Sequence, residues 1–212
     1  MKLDLCLIIS GGEYCELPDE LRRADYVIAC DRGWQYAAQM GLRPDWIVGD
    51  FDSAPQPETE IPVTRVPTRK DDTDTMLAVR RAFELGYREI AILCAFGGRL
   101  DHTLANLQTA AWLVSRGAKV RLVGADTDAL AFTQETLRLP RREGWSLSVF
   151  SLSDACTGVT IRGAKYECEN ETLSNRFPLG ISNVWASDAA EISVQSGILL
   201  VLQSRLSPGE HI

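Results

Sequence analysis

The chain has 212 residues, of which 45% are hydrophobic and 24% charged, and these are ordinary values for a globular protein that can bury a substantial core. Its net charge of −7 argues against a general nucleic-acid-binding protein, which would present a basic face, but leaves a nucleotide substrate possible. No apolar segment reaches the roughly 18 residues that a membrane-spanning helix needs, so we expect no membrane partner.

The N-terminal segment contains a short apolar run, Leu5–Ile9, which is followed by Gly11-Gly12 and not by a cleavage site. We interpret it as a first β-strand, not as a signal peptide. The six cysteines form no Cys-x-x-Cys pair, and most lie within or beside apolar runs, where cysteine acts as a small buried hydrophobe. This usage fits a reducing compartment, and we expect a cytoplasmic protein.

Short apolar runs alternate with helical patterns up to about residue 133. The apolar runs predict buried β-strands at Leu5–Ile9, Tyr26–Cys30, Trp46–Val48, Ile90–Ala95 and Val120–Val123. Helical periodicity predicts helices over Asp74–Leu85, with Asp72 or Thr73 as the N-cap, and over His102–Arg116. Strands that alternate with helices at this spacing predict an α/β, Rossmann-like domain with a mainly parallel sheet over residues 1–133.

The helical period disappears after Thr133. Short apolar or alternating segments follow, separated by turn signals at Arg162-Gly163, Asn170-Glu171 and Ser196-Gly197. This pattern is typical of antiparallel strands and predicts an all-β second domain over residues 134–212.

Aspartates recur where the predicted strands end. Asp31 ends one apolar run, Asp50 and Asp52 follow the next, Asp71 to Asp74 precede a helix, and Asp101 follows Gly97-Gly98-Arg99. Carboxyl ends of parallel strands meet at one edge of a sheet, where α/β proteins bind their ligands. Close acids would repel by about 4 kcal/mol per pair at an effective dielectric near 20. A Mg²⁺ ion that brings a polyphosphate with it would resolve this repulsion.

Each motif alone also has an ordinary structural explanation. Asp50 and Asp52 would point to one side of an extended strand, but such a pair more often forms a solvated turn. Asp71 and Asp74 could have the purely structural role of complementing the dipole of the following helix. Gly97-Gly98-Arg99 could bind phosphate through backbone amides and a guanidinium, or could only form a tight turn. His102 could be an acid–base group or a hydrogen-bonded helix-start residue.

The order of these motifs resembles that of the thiamine pyrophosphokinase family. The resemblance rests on Gly49–Ser53, Lys70–Asp74 and Gly97–His102, and it continues with Gly163-Ala164-Lys165-Tyr166 and Gly180-Ile181-Ser182-Asn183. It therefore covers nearly the whole chain. It implies an ATP-dependent transferase that moves the diphosphate of ATP to the hydroxyl of thiamine and releases AMP. It also implies an α/β catalytic domain, a thiamine-binding β-sandwich, and a homodimer whose sites are shared between subunits.

The resemblance also implies roles for individual residues. It predicts Mg²⁺ ligands at Asp50, Asp52, Asp71 and Asp74. It predicts catalytic residues at Asp71, Asp74, Arg99 and Asp101, one of whose three carboxylates would accept the hydroxyl proton. It predicts residues that bind ATP or thiamine at Asp31, Lys70, Thr73, Gly98, His102, Tyr166, Ser182 and Asn183. Within this last set Tyr166 would stack on thiamine, while Ser182 and Asn183 would hydrogen-bond its aminopyrimidine ring.

Two positions depart from the family pattern. Asp31-Arg32-Gly33 stands where the family commonly has Asp-Gly-Gly, and Ala164 replaces a leucine. Two other functions stay open on the residues. One is a Mg²⁺-dependent nucleotide or sugar-phosphate transferase with another acceptor, and the other is a non-catalytic thiamine or metal sensor.

Overall fold

The computed structural model describes residues 5–52, 55–69, 71–210 and 212. Of the predicted site residues, Lys70 lies outside these described residues, as does Ser53 of the Gly49–Ser53 motif. The chain divides into two compact units, Met1–Ala125 and Asp126–Ile212. We describe each unit by itself.

The first unit is an α/β structure with a parallel sheet. Its strands are β1 (Cys6–Ile9), β2 (Tyr26–Cys30), β3 (Trp46–Gly49), β4 (Val63–Arg65), β5 (Glu89–Leu93) and β6 (Lys119–Val123). They lie in the order β6-β5-β1-β2-β3-β4, and all neighbouring pairs are parallel. All four residues of β1 are buried, as the continuous apolar run predicts for a central strand of a parallel sheet.

The helices of the first unit are α1 (Gly33–Gln39), α2 (Asp74–Glu84) and α3 (Leu100–Val114), with a short 3-10 helix over Asp19–Leu21. The predicted start of α2 is confirmed, because the Thr73 hydroxyl accepts a hydrogen bond from the Met76 amide at 3.1 Å. The sequence analysis did not predict α1. This helix has only seven residues and no side-chain cap, so its periodicity is too short to stand out.

The strand order changes direction beside β1. The chain runs from β1 through β2 and β3 to β4 on one side, and then returns by α2 to β5 on the other side of β1. A parallel sheet opens a ligand-binding crevice at the carboxyl ends of its strands where the order reverses. We therefore expect a ligand-binding site at the carboxyl ends of β1, β2, β3 and β5.

The second unit contains strands only. These are β7 (Thr127–Phe132), β8 (Thr136–Pro140), β9 (Trp145–Ser151), β10 (Ala155–Arg162), β11 (Cys168–Ser174), β12 (Gly180–Asn183), β13 (Ala189–Ser193) and β14 (Leu199–Arg205). Antiparallel pairing gives the orders β12-β9-β14-β7 and β11-β10-β13-β8. Inward residues of both strand groups, such as Val149, Ile161, Ile192 and Val201, belong to one hydrophobic cluster.

The prediction of an α/β domain followed by an all-β domain is confirmed, but two details differ. The compact units divide after Ala125, not after residue 133, because β7 pairs with β14 in the second unit. Asn170-Glu171, expected to form a turn, lies inside β11. Asn170 has a positive φ of 56° at a bulge against β10, so the turn-type residue bends a strand here and does not reverse the chain.

Within the described ranges, no helix is both long and apolar enough to cross a membrane. The six cysteines all lie in the described part of the chain, and none of them forms a disulfide; five are buried.

Candidate active site

A cavity of about 640 Å³ opens in the first unit. The loops that follow β1, β2, β3 and β5 line it, together with the first residues of α2 and α3. Most of the predicted site residues of this unit take part in the lining: Asp31, Asp50, Asp52, Thr73, Asp74, Gly98, Arg99 and His102. The sheet edge predicted from the sequence is thus a concave surface of a size suited to a small ligand.

Three carboxylates converge in this cavity. One oxygen each of Asp31, Asp50 and Asp52 lies within 4.8 Å of the others, and this is a spacing at which one cation can bind all three. Asp31 and Asp50 are half-buried, whereas Asp52 is exposed. The convergence of Asp50 and Asp52 was predicted. The sequence analysis had assigned Asp31 to ATP or thiamine binding and not to the metal.

The local backbone brings these acids together. Asp50 accepts a hydrogen bond from the Asp52 amide at 3.1 Å, and Phe51 between them has a φ of 58°. The two carboxylates therefore converge through a turn, and not through the alternation of an extended strand. Next to them, the Asp31 amide donates to the Val48 carbonyl at 2.8 Å. A Cβ atom on Gly49 would lie 2.9 Å from Asp31 Cα, so only glycine permits this approach.

Strained backbone marks the strand ends around the cavity. Asp31 directly follows β2, Phe51 lies two residues after β3, and Cys94 directly follows β5. Their φ angles are 47°, 58° and 52°, in the left-handed region that residues other than glycine rarely adopt. Such strain persists only where the surrounding structure imposes it, and it clusters at functional sites.

The start of α2 forms one wall of the cavity. Thr73 and Asp74 line it, and the Thr75 hydroxyl lies 2.8 Å from the Ser10 hydroxyl, which fastens α2 to the end of β1. Burial raises the pKa of the Cys30 thiol well above its ordinary value, and the charges of Asp74 and Asp31 raise it further. Cys30 therefore stays protonated beside these acids.

Asp71 stands apart from the other predicted metal ligands. It is exposed, it does not line the cavity, and it lies outside the group formed by Asp31, Asp50 and Asp52. Asp74 lines the cavity but also lies outside that group. Asp72, the residue after Asp71, lines the cavity and forms an ion pair with Arg80 at 3.2 Å. From the sequence, Asp72 was predicted only as a possible N-cap.

The loop after β5 forms the opposite wall. Gly97 and Gly98 have φ angles of 83° and 66°, and a Cβ atom on Gly97 would lie 2.5 Å from the Cβ atom of Glu13. The Glu13 amide donates to the Phe96 carbonyl at 2.8 Å, so this loop is joined to the one after β1. Gly97 is therefore needed both for its positive φ and for its close packing against Glu13, whereas Gly98 is needed for its positive φ alone.

Arg99 and Asp101 form a two-pronged ion pair on the surface. Arg99 Nε and Nη2 donate to the two Asp101 oxygens at 3.1 and 2.6 Å, and both side chains are exposed. These hydrogen bonds lower the pKa of the Asp101 carboxyl and raise the pKa of the Arg99 guanidinium. Arg99 and His102 line the cavity, whereas Asp101 does not.

Several residues of the cavity escaped the sequence analysis. They are Glu13, Tyr14, Arg32 and Tyr36, of which Tyr14 and Tyr36 pack edge to face with ring centroids 5.5 Å apart. Neither tyrosine belongs to a motif, and both also pack against the core cluster of this unit. Arg32 could have been noticed in the sequence, because it replaces a glycine of the Asp-Gly-Gly pattern.

In the second unit, the predicted thiamine-binding residues are neighbours. Asn183 is buried, and its side-chain oxygen accepts hydrogen bonds from the Tyr166 and Val184 amides, both at 3.0 Å. Its side-chain nitrogen donates to the Tyr166 carbonyl at 2.7 Å. The ring of Tyr166 stays outside, with 56% of the residue exposed. Asn183 thus holds the main chain from which the Tyr166 ring projects.

Ser182 and Lys165 flank this tyrosine. Ser182 is exposed and has a φ of 58°, and its amide donates a hydrogen bond to the Ser148 hydroxyl at 3.1 Å. The Lys165 ammonium lies 5.3 Å from the centre of the Tyr166 ring. Ser182 directly precedes Asn183, which binds the Tyr166 main chain, and Lys165, Tyr166 and Ser182 are all exposed; we call these three residues the Tyr166 platform.

The chemistry of the cavity suits a hard divalent cation and a polyphosphate. Mg²⁺ is usually held by one or two carboxylates together with substrate phosphates, and the group of Asp31, Asp50 and Asp52 offers such oxygen ligands. One oxygen of Asp31 and one of Asp74 are buried, which places negative charge inside the cavity and not only at its rim. The donor set therefore fits Mg²⁺.

Two family models match the chain. The one described as "Thiamin pyrophosphokinase, catalytic domain" matches residues 17–122, which contain most of the cavity. The one described as "Thiamin pyrophosphokinase, vitamin B1 binding domain" matches residues 134–199, which contain the Tyr166 platform. The curated thiamine pyrophosphokinase of Bacillus subtilis (strain 168) is 28% identical over 207 residues, or 93% of this chain and 97% of that protein.

Solved structures are similar over nearly the whole chain. The crystal structure of thiamine pyrophosphokinase from Bacillus subtilis has a TM-score of 0.83 at 27% identity and covers 95% of this chain and 99% of that one. The thiamin pyrophosphokinase from Geobacillus thermodenitrificans has a TM-score of 0.80 at 27% identity, with 96% and 98% covered. The Candida albicans enzyme, at 14% identity and a TM-score of 0.76 over 94% and 88%, shows the shared fold alone.

Proposed function

The chain belongs to the thiamin pyrophosphokinase family, and we propose from this membership and from the site that it transfers the diphosphate of ATP to the hydroxyl of thiamine, giving thiamine diphosphate and AMP. The observation that carries the proposal is the convergence of Asp31, Asp50 and Asp52 in a cavity also lined by Gly98 and Arg99. Acids for a cation and donors for phosphate oxygens thus occur together.

The acidic group would hold Mg²⁺. Asp50 and Asp52 are the ligands expected from the sequence, and Asp31 joins them on the geometry. When bound, Mg²⁺ neutralises charge on the triphosphate and keeps the attacking and leaving oxygens in line. The glycine loop at Gly97 and Gly98 would let backbone amides approach the phosphates.

Catalysis of this reaction depends mainly on positioning and charge neutralisation. Asp74 is the best-placed of the three predicted proton acceptors, because it lines the cavity whereas Asp71 and Asp101 do not. Asp101 instead positions the Arg99 guanidinium, which it holds by two hydrogen bonds. Thr73 caps α2 and so fixes Asp74 at the cavity wall.

The Tyr166 platform would bind thiamine. A flat cationic ligand gains from an aromatic face, and the exposed Tyr166 ring offers one. The Ser182 hydroxyl beside it would hydrogen-bond the aminopyrimidine. Asn183 was expected to do the same, but its amide already binds the Tyr166 and Val184 main chain, so its contribution would be mostly indirect.

We propose in the same way the finer features of the architecture. The reversal of strand order beside β1 supports a Rossmann-like catalytic domain, and the shared core of the two strand groups supports a β-sandwich. The buried free thiols support a cytoplasmic location. A homodimer with shared sites would cover the exposed Tyr166, Phe177, Leu179 and Ile181 side chains of the second unit.

Steady-state assays test the function directly. AMP release from ATP in the presence of Mg²⁺ is measured with thiamine and with other alcohols as acceptors, and the rates are compared. Thiamine is expected to be the preferred acceptor by far. Equal turnover with a sugar phosphate would favour the other transferase, and stabilisation by thiamine or Mg²⁺ without any AMP would favour a sensor.

Shared sites have a test of their own. Asp50→Asn and Tyr166→Ala variants, each inactive or weak alone, are mixed under conditions that allow subunits to exchange. If one subunit supplies the acids and its partner supplies the platform, the mixture regains activity, because some dimers hold one intact site. Activity that never exceeds the sum of the separate variants would show that each chain forms its own site.

A further inference from the structure

Arg32 occupies a position in the cavity that the motifs did not explain. It directly follows Asp31, lines the cavity, and is half-buried. Its φ is −60°, so its backbone does not require glycine. A Cβ atom on Gly11 would lie 3.4 Å from Arg32 Cγ, which shows that the Arg32 side chain runs across the loop after β1. The next residue, Gly33, does need to be glycine, since its Cβ would lie 2.2 Å from the Ile9 carbonyl oxygen.

The charges that face the cavity make this arginine informative. The lining contains six acids, namely Glu13, Asp31, Asp50, Asp52, Asp72 and Asp74. Arg99, the other guanidinium in the lining, already has both prongs on Asp101. Arg32, by contrast, forms no ion pair with any carboxylate in the described part of the chain, although six acids line the same cavity.

Arg32 is half-buried as a residue, and a charged side chain that loses part of its hydration is costly unless a ligand or a partner compensates its charge. One oxygen each of Asp31, Asp50 and Asp52 lies within 4.8 Å of the others, and Arg32 forms no ion pair with these three carboxylates in the described part of the chain. A phosphate anion that entered the cavity together with a cation would give Arg32 a counter-charge. A planar guanidinium presents two N–H groups as a rigid fork that matches two phosphate oxygens, a geometry that a single backbone amide or a compact lysine ammonium lacks.

We propose that Arg32 binds the polyphosphate chain of the nucleotide, from the β1 and β2 side of the cavity. This inference rests on the proposed function, in which a triphosphate enters the cavity. The departure from Asp-Gly-Gly would then add a phosphate-binding side chain at a position where glycine offers only backbone. Arg32 is the guanidinium that is ready to bind phosphate, whereas Arg99 must first leave Asp101 or bind phosphate with the N–H groups that do not face Asp101.

The test measures binding of inorganic tripolyphosphate with Mg²⁺ by calorimetry, so that no nucleoside contributes. Arg32→Gln is expected to weaken this binding about 10- to 100-fold, and to raise the KM for ATP by a similar factor. The KM for thiamine is expected to stay within about twofold, since Arg32 would touch only phosphate. Arg32→Lys keeps the charge but loses the second prong, and its affinity should lie in between.

Arg22→Gln is the matched control. This substitution removes the same charge from the same unit. Arg22 pairs with Asp19 at 3.1 Å on the surface and does not line the cavity. Wild-type affinity for tripolyphosphate in Arg32→Gln would overturn the inference. So would an equal weakening of phosphate and thiamine binding together with a lower free energy of unfolding, because that pattern marks a structural role. If Arg32→Gln does not fold, wild-type affinity in Arg32→Lys would overturn it.

The outcome is separable from that for the proposed function. Wild-type protein that binds tripolyphosphate through Arg32 but releases no AMP with thiamine would overturn the proposed function and support the role of Arg32. Normal turnover of thiamine by Arg32→Gln, with an unchanged KM for ATP, would support the function and overturn the role of Arg32.

Discussion

The cavity of the first unit and the Tyr166 platform of the second unit differ in how they present their chemistry. The cavity places six carboxylates and two guanidiniums in one concave surface, on loops that follow parallel strands. The platform exposes an aromatic ring and a hydroxyl, on main chain that a buried amide holds in place. One region is rich in charge, and the other exposes a flat aromatic face.

Because of this difference, we expect mutations in the two regions to affect activity and stability differently. In the cavity, the acids repel one another, so their removal should damage function while leaving the fold intact or more stable. Beneath the platform, the Asn183 side chain is buried and binds the main chain of Tyr166 and Val184, so its removal should damage the local fold first. The following predictions test this contrast.

The largest effect is expected for Asp50→Asn. Loss of one of the three convergent carboxylates should lower kcat/KM on the order of 10³-fold, or about 4 kcal/mol in transition-state stabilisation. Without divalent cations the variant should unfold at a temperature equal to or above that of the wild type, because one repelling charge is gone. AMP release and thermal unfolding in chelator measure the two effects.

Asp71→Asn is the matched control for this prediction. Asp71 is exposed and outside the acidic group, so its variant should keep more activity than Asp50→Asn. Equal losses in the two variants would contradict the geometry and return Asp71 to the metal site that the sequence motif indicated.

Asn183→Ala should have the next largest effect, and on stability. It leaves two amides and one carbonyl, of Tyr166 and Val184, without their buried partner. A lost buried partner costs about 1–3 kcal/mol in the free energy of unfolding, which urea titration measures. Ser182→Ala, at an exposed neighbour, should change stability by less than about 0.5 kcal/mol. Similar stability in both variants would show that Asn183 does not support the platform.

Tyr166→Ala should have a smaller effect, confined to one substrate. Loss of the exposed ring should raise the KM for thiamine by about 10-fold, since cation–π contacts contribute about 1–2 kcal/mol. The KM for ATP should not change. Tyr166→Phe keeps the ring and should keep the wild-type KM. A tyrosine that serves only the fold would instead lower stability in the Ala variant without affecting thiamine selectively.

The smallest effect concerns the exposed pair of Arg99 and Asp101. Hydrogen bonds from Arg99 lower the pKa of the Asp101 carboxyl below its ordinary value. A carboxyl with a lowered pKa in the folded state stabilises the fold above its unfolded pKa, and this contribution is lost as the pH falls through the folded pKa. In Arg99→Gln the pKa of Asp101, followed by NMR, should rise. A pKa that does not move would show that the pair does not persist in solution.

The sequence predicted which strand ends of the first unit carry acids better than it predicted how those acids are arranged. Apolar runs that end in aspartate located the ends of β2 and β3, because strand ends of a parallel sheet share one edge. The sequence could not show that a turn at Phe51, with a positive φ, brings Asp50 and Asp52 together. It also could not separate Asp71 from Asp72, since the last turn before a helix decides which of them faces the cavity.

The second unit was harder to predict for a different physical reason. β11 is an edge strand with four consecutive exposed residues, so it carries no alternating pattern. The Ser182-Asn183 motif predicted two ligand-binding residues, but burial decides whether an amide is open to a ligand or binds its own main chain, as Asn183 does. That distinction follows from three-dimensional packing and has no counterpart in spacing along the chain.

The fate of the phosphate groups tests the central claim most directly. ATP labelled at the β- and γ-phosphorus in separate experiments is incubated with Mg²⁺, thiamine and the protein. We predict that both labels reach the thiamine product in equal amount and that the released nucleotide is unlabelled AMP, with transfer abolished in Asp50→Asn. Transfer of the γ label alone, with β-labelled ADP left behind, would contradict diphosphate transfer at this site.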